Sequence, residues 1–99
     1  MKGVDEEFKN ILFKVYGTFG CGNCFNQWRI IQEEFFDFKR EKVNCNELDE
    51  DELNNLKIRQ VPVVMIYDGD TLIKRYNEYT STDAIRDFLY EYKKTKQGR

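Results

Sequence analysis

The sequence predicts an α/β domain: one sheet with helices on its faces, in the order β-α-β-α-β-β-α. Three observations predict it. An apolar run, Ile11 to Tyr16, passes directly into a stretch with helical periodicity. A second apolar run, Val63 to Tyr67, is followed by Asp68-Gly69-Asp70 and a returning strand pattern. A final amphipathic stretch follows Thr80. The 99 residues suit one domain, 1–99, with a core over about 11–94. Hydrophobic content of 40% with 15% aromatics fits a packed chain and not a disordered one.

The elements follow in order. Asp5 to Asn10 can form a helical turn. Ile11-Leu12-Phe13-Lys14-Val15-Tyr16 reads as a buried strand, apolar and rich in aromatic and β-branched residues. Gly17 to Gly20 is a loop. From about Gly22 to Phe36 apolar residues recur every three or four positions, so Cys24, Phe25, Trp28, Ile31 and Phe35 are expected on the inner face of a helix. Arg40 to Cys45 reads as a short strand with Val43 and Cys45 on one side. Glu47 to Leu56 reads as a short acidic helix, its start complementing the helix dipole. Val63 to Tyr67 is the strongest strand, Asp68-Gly69-Asp70 a hairpin turn, and Thr71 to Tyr76 the return. Thr80, Ser81 or Thr82 caps a last helix running to about Lys94, with Ala84, Ile85, Phe88, Leu89 and Tyr92 inward. Thr95 to Arg99 is expected to fray.

Charge and composition exclude several classes. The net charge of -2 lacks the basic excess of a nucleic-acid binder. No apolar stretch approaches the roughly 20 residues of a membrane helix. Met1 to Asn10 is charged and has no signal-like apolar region, so a cytoplasmic location is expected, where structural disulfides are rare. Three cysteines fit poorly with a disulfide-stapled secreted domain. Histidine is absent, which removes Ser-His and Cys-His hydrolytic arrangements and His-containing zinc sites.

The chemistry then points to Cys21-Gly22-Asn23-Cys24, placed where a strand gives way to a helix. Dithiol exchange needs a reactive thiolate and a second thiol close enough to release the mixed disulfide. A helix N-terminus supplies unpaired amides and a dipole that favour the first thiolate. It lowers a thiol that otherwise titrates near about 8.5. Cys21 is therefore the expected nucleophile and Cys24, about one turn on, the resolving thiol. Two incidental thiols or a metal half-site are the competing readings. A zinc site needs four ligands, and Cys45 with no histidine leaves that count short. An iron–sulfur cluster shared between two chains through Cys21 is a further alternative.

With these residues the chain resembles the thioredoxin superfamily, from about Ile11 to Tyr92. The carrying features are Cys21-Gly22-Asn23-Cys24 after a strand, Lys57-Ile58-Arg59-Gln60-Val61-Pro62, and the Asp68-Gly69-Asp70 hairpin. The resemblance implies a central mixed sheet of four strands. It implies a cis Pro62 beside Cys21, a Gln60-Val61 backbone that pairs with an incoming substrate chain, and contacts to substrate from Gly22 and Asn23. Gly20 stands where thioredoxins usually carry Trp, and Asn23 where they carry Pro. Val15 aligns with the family's buried aspartate, while Lys42 matches its lysine neighbour and is implied as support for proton transfer. The missing aspartate and the Tyr16-Gly17 lead-in look more like glutaredoxin. Glutaredoxins, however, show Thr-Val-Pro where this chain has Gln60-Val61-Pro62, and a Gly-Gly-Asx with no match in Asn77-Glu78-Tyr79-Thr80. The chain is similar to the small thioredoxin- and glutaredoxin-like proteins of prokaryotes and their viruses.

The expected function is a thiol–disulfide oxidoreductase that reduces protein disulfides. Its redox group is the Cys21–Cys24 disulfide, with no metal or organic cofactor. The electron donor is a reductase or glutathione, and a monomer is the default. A glutathione-dependent glutaredoxin and a non-catalytic interaction module are the alternatives. Elsewhere Cys45 reads as a buried small hydrophobe, and Trp28 and the phenylalanines as core. Tyr16 fits either the site's rim or the core. Glu47 to Glu52 reads as a solvated helix start, and Lys93, Lys94 and Lys96 as a solvated C-terminus.

Overall fold

The computed structural model describes residues 6–97. Asp5, the start of the expected first turn, and Gly98 and Arg99 of the expected tail lie outside the described residues. The elements are β1 (Ile11–Gly17), α1 (Gly22–Glu34), β2 (Lys39–Asn44), α2 (Glu50–Leu56), β3 (Val63–Asp68), β4 (Thr71–Tyr76) and α3 (Thr82–Gln97). Short 3-10 turns occupy Glu6–Phe8 and Cys45–Glu47. The strands form a mixed four-stranded sheet in the order β2-β1-β3-β4. β1 and β2 run parallel, because α1 crosses over between them; β3 and β4 are antiparallel neighbours. The expected element order and mixed sheet are those observed. No helix among the described residues is long and apolar enough to cross a membrane.

β1 is fully buried on one face, while on the other Tyr16 is buried and Leu12 and Lys14 are half-buried. Ile11, Phe13 and Val15 point toward α1 and α3, and pack with Ile31, Phe35, Val64, Ile66, Ile85 and Leu89. Tyr16 points the other way, into a second core with Cys45, Val63 and Met65, closed by Leu53 and Leu56 of α2. Tyr16 is thus a core residue and not part of the rim. Cys45 is buried there as expected.

Several boundaries and faces differ from the sequence reading. α1 stops at Glu34 and not Phe36: Phe35 leaves helical geometry (φ -124°, ψ 39°) while its N–H still bonds the Ile31 carbonyl. Phe35 turns into the core, and Phe36 is left 66% exposed. Phe25 is also 66% exposed, not on the inner face. At about 100° per residue, Cys24, Gln27, Trp28 and Ile31 share one arc, and Phe25 falls well outside it. The buried position goes instead to Gln27. β2 ends at Asn44, since Cys45 already begins a 3-10 turn.

α2 begins at Glu50, three residues later than expected, because Asp49 is its N-cap. Asp49 Oδ1 accepts the Glu52 N–H (2.8 Å), and Glu52 Oε1 accepts the Asp49 N–H (2.9 Å). At α3 the cap is Ser81, whose hydroxyl accepts the Ala84 N–H (3.1 Å). α3 runs to Gln97 and does not fray at Thr95. Lys96 explains part of this: its Nζ lies 3.0 Å from Asp68 Oδ2, so it is tied to the end of β3 and not simply solvated.

Candidate redox site

Cys21 is the N-cap of α1, in extended geometry (φ -95°, ψ 106°). Its Sγ accepts the Cys24 N–H at 3.1 Å, and its carbonyl accepts the Phe25 N–H at 3.1 Å. The sulfur therefore satisfies one of the amides that a helix start leaves unpaired, where the dipole favours negative charge. Cys21 and Cys24 are joined as a disulfide, their Cα atoms 5.2 Å apart. Cys21 is half-buried and Cys24 buried, while Gly22 and Asn23 between them are exposed. The partner nearer solvent is thus the one that caps the helix.

Two glycines shape the approach. Gly20 has φ +76°, a left-handed geometry that costs other residues about 1–2 kcal/mol. A side chain the size of tryptophan there would be strained, whatever space it found. Gly17, at the end of β1, answers a different need. A Cβ on it would lie 2.8 Å from Cys24 Cβ and 3.1 Å from Cys24 Sγ.

Beside the disulfide is a cavity of about 350 Å³, lined by Cys21, Cys24, Val15, Lys42 and Glu47 together with aromatic and small residues of the 17–20 loop and α1, among them Trp28. Val15 pairs with Lys42 across the parallel β1–β2 register. Val15 is buried and carries no proton-accepting group, while Lys42 is exposed. Glu47, read from the sequence as part of a solvated helix start, lines the same cavity.

Across β1 from this cavity lies the segment that leads into β3. The Val61-Pro62 peptide bond is cis. Pro62 is buried and directly precedes Val63, whose partner across the sheet is Tyr16. Gln60 Nε2 donates to the Asn77 carbonyl at 2.8 Å. Arg75 donates to the carbonyls of Leu56 (2.6 Å) and Lys57 (2.9 Å) and to Asn77 Oδ1. The loops at 57–62 and 77–80 are thereby tied to one another.

No protein-family model and no curated protein matches the chain. Solved structures do. A thioredoxin mutant from Halobacterium salinarum superposes with a TM-score of 0.71 at 16% identity, over 85% of this chain and 75% of that one. Thioredoxin f2 of Chlamydomonas reinhardtii gives 0.67 at 19%, over 88% and 82%. Thioredoxin f2 in a complex with ferredoxin:thioredoxin reductase gives 0.65 at 19%, over 86% and 80%. The chain has a thioredoxin-like fold.

Within that thioredoxin-like fold, Cys21, Cys24, Gly22, Asn23 and Lys42 lie around the start of α1 and the end of β2, and Gln60, Val61 and Pro62 lie at the start of β3. Sequence reasoning missed Gly17, Gln27 and Arg75. Gln27 is fully buried; its Nε2 donates to the Thr80 carbonyl (3.1 Å) and its Oε1 accepts the Thr80 N–H (2.7 Å). A polar residue one turn after the second cysteine, at the phase of Cys24 and Ile31, was the signal available for it. No pattern in the sequence marks Arg75 or distinguishes Gly17 from an ordinary loop glycine. Among the described residues no group of three or more His, Cys, Asp or Glu side chains is placed to hold a metal ion.

Proposed function

We propose that this chain is a thiol–disulfide oxidoreductase that reduces protein disulfides. The observation that carries this is a disulfide whose half-buried Cys21 caps α1 while its partner Cys24 is buried one turn on. In the reduced protein the Cys21 thiolate, favoured by the start of α1, attacks one sulfur of a substrate disulfide. A Cys21–substrate disulfide forms, and the other substrate sulfur leaves as a thiolate and takes up a proton. The Cys24 thiol then loses its proton and attacks Cys21 Sγ. The Cys21–Cys24 bond forms, and the second substrate thiol is released. Two electrons and two protons have passed to the substrate, and no metal or organic cofactor takes part.

The remaining residues support these steps. The Gln60-Val61 backbone pairs with the substrate chain as an added strand, and Pro62 flanks the dithiol. Exposed Gly22 and Asn23 meet the substrate at the helix start. Lys42, in the cavity with Cys24, assists proton transfer there, since Val15 cannot. A reductase is the favoured donor: thioredoxin f2, similar in fold, is solved in complex with one. A monomer suffices, because every residue named comes from one chain.

The test is insulin disulfide reduction by the wild type, Cys21→Ser and Cys24→Ser, driven in turn by thioredoxin reductase and by glutathione with its reductase. Cys21→Ser should be inactive and Cys24→Ser should accumulate mixed disulfides. Full activity in Cys21→Ser would sink the reading. Recycling by glutathione alone would make the chain a glutaredoxin.

A further inference from the structure

Apolar surface is left in water on one flank of the disulfide. Phe19 is 81% exposed and Phe25 66% exposed. Both line the cavity that also meets Cys21, Cys24 and Trp28. Large apolar groups left exposed together mark a contact surface. Neither ring is required by the fold. Phe25 lies off the buried arc of α1, and the loop carrying Phe19 is held by its backbone N–H, which donates to Asn46 Oδ1 at 3.2 Å.

The cavity's size and charge narrow what it takes. Its volume of about 350 Å³ is at the small end of ligand pockets, roughly 300–1,000 Å³. Lys42 and Glu47 are its charged lining residues, and their charges cancel. The lining therefore offers no net attraction to an anion such as oxidised glutathione.

We propose that this cavity is a substrate subsite for a large uncharged side chain, aromatic above all, next to the cysteine that Cys21 attacks. The proposal rests on the dithiol-exchange reading above. The chemistry identifies the occupant: whatever fills the cavity during reaction is joined to a sulfur presented at Cys21, and a neighbouring side chain is one residue away. The subsite lies on the β2 side of β1, while Gln60 to Pro62 lead into β3 on the other side. A substrate peptide is thus gripped by its backbone on one flank of the dithiol and by a side chain on the other.

The test uses the full chain, reduced and freed of reductant, in single turnover. The substrates are symmetrical disulfides of short peptides with Phe, Trp, Ser or Glu beside the cysteine, and oxidised glutathione. The rate is followed as released peptide thiol by chromatography. The Phe and Trp peptides should react about tenfold faster than the Ser peptide, the scale that burying one aromatic side chain supports. Phe19→Ser and Phe25→Ser, both at exposed positions, should shrink that preference to about twofold or less while the Ser peptide keeps its rate. Equal rates across the peptides in the wild type, or a preference untouched in both variants, would overturn the subsite and leave dithiol exchange standing. Fastest reaction with oxidised glutathione would overturn it in favour of a small anionic thiol. No reaction with any disulfide would sink the dithiol reading and the subsite together.

Discussion

Gly17 and Cys24 are in contact so close that no side chain fits between them: a Cβ on Gly17 would sit 2.8 Å from Cys24 Cβ. The obstacle is not the loose end of a flexible side chain, because Cys24 is buried and held by its bond to Cys21. Gly17→Ala must therefore move β1's end, α1's first turn or both. Overpacking of this kind costs about 1–3 kcal/mol. A lower urea midpoint for the oxidised variant, together with slower release of a trapped mixed disulfide, is the expected outcome. An unchanged midpoint would mean that the close approach is relieved at no cost.

The Gln27–Thr80 pair makes a second prediction. Both backbone groups of Thr80 are satisfied by one buried amide. Gln27→Leu keeps the volume but strands a donor and an acceptor, at about 1–3 kcal/mol for each group left without water. Equilibrium unfolding should show the loss, and hydrogen exchange should show the Thr80 amide opening ahead of the α1 core. Gln27→Glu keeps the shape but sets a carboxylate against the Thr80 carbonyl in a buried position, so it should cost more at neutral pH than in acid, where a protonated acid can donate.

Asp68 predicts an acid dependence. The hydroxyl of Tyr92 donates to its carboxylate, and Lys96 lies at 3.0 Å, so its pKa is held below the usual carboxylate value. The Tyr92 hydrogen bond is the largest cause; burial, next in size, works against it, and Lys96 adds to the lowering. A folded pKa below the unfolded one means that the ionised form stabilises the fold. That contribution is present above the unfolded value, near about 4, and is lost as pH falls through the lowered folded value. Asp68→Asn should be less stable than wild type at neutral pH and should converge with it in acid. Urea midpoints measured across that range check both halves.

Cys45 should be the slow thiol. Burial pushes its pKa up, and a hydrogen bond with the Gly17 backbone only partly offsets this. Less thiolate and less access both slow alkylation. In the reduced native protein at neutral pH, iodoacetamide followed by mass mapping should label Cys21 first and leave Cys45 until denaturant is added. Early labelling of Cys45 would contradict its place in the second core.

Much of the fold was legible because its signals are local. Strand runs such as Ile11 to Tyr16, the Asp68-Gly69-Asp70 turn and the spacing of Ile85 and Leu89 each report their own backbone. Boundaries were less legible. α2 starts where Asp49 and Glu52 exchange hydrogen bonds, and an acidic run holds several residues able to do that. α3 outlasts the expected end at about Lys94 because Lys96 reaches Asp68, a partner 28 residues away that helix propensity does not register. Phe25 was misjudged and Gln27 missed for a related reason: hydrophobicity suggests the inner face, but the phase of the buried arc decides it.

At the candidate site the division is the same. The sequence by itself determined which groups are available for chemistry: a pair of thiols at a strand-to-helix junction, and no histidine. Bonding type and near-neighbour spacing suffice for that. Only the tertiary structure decided what surrounds the pair. It set Gly17 against Cys24, brought Lys42 and Glu47 to one cavity and tied Gln27 to Thr80. It also left Phe19 and Phe25 in solvent beside the disulfide. Gln27 and Thr80 are 53 residues apart, and the cavity joins residues of β1, α1 and β2; even where the partners are near in sequence, their distances follow from how the strands and helices pack, which no local pattern encodes.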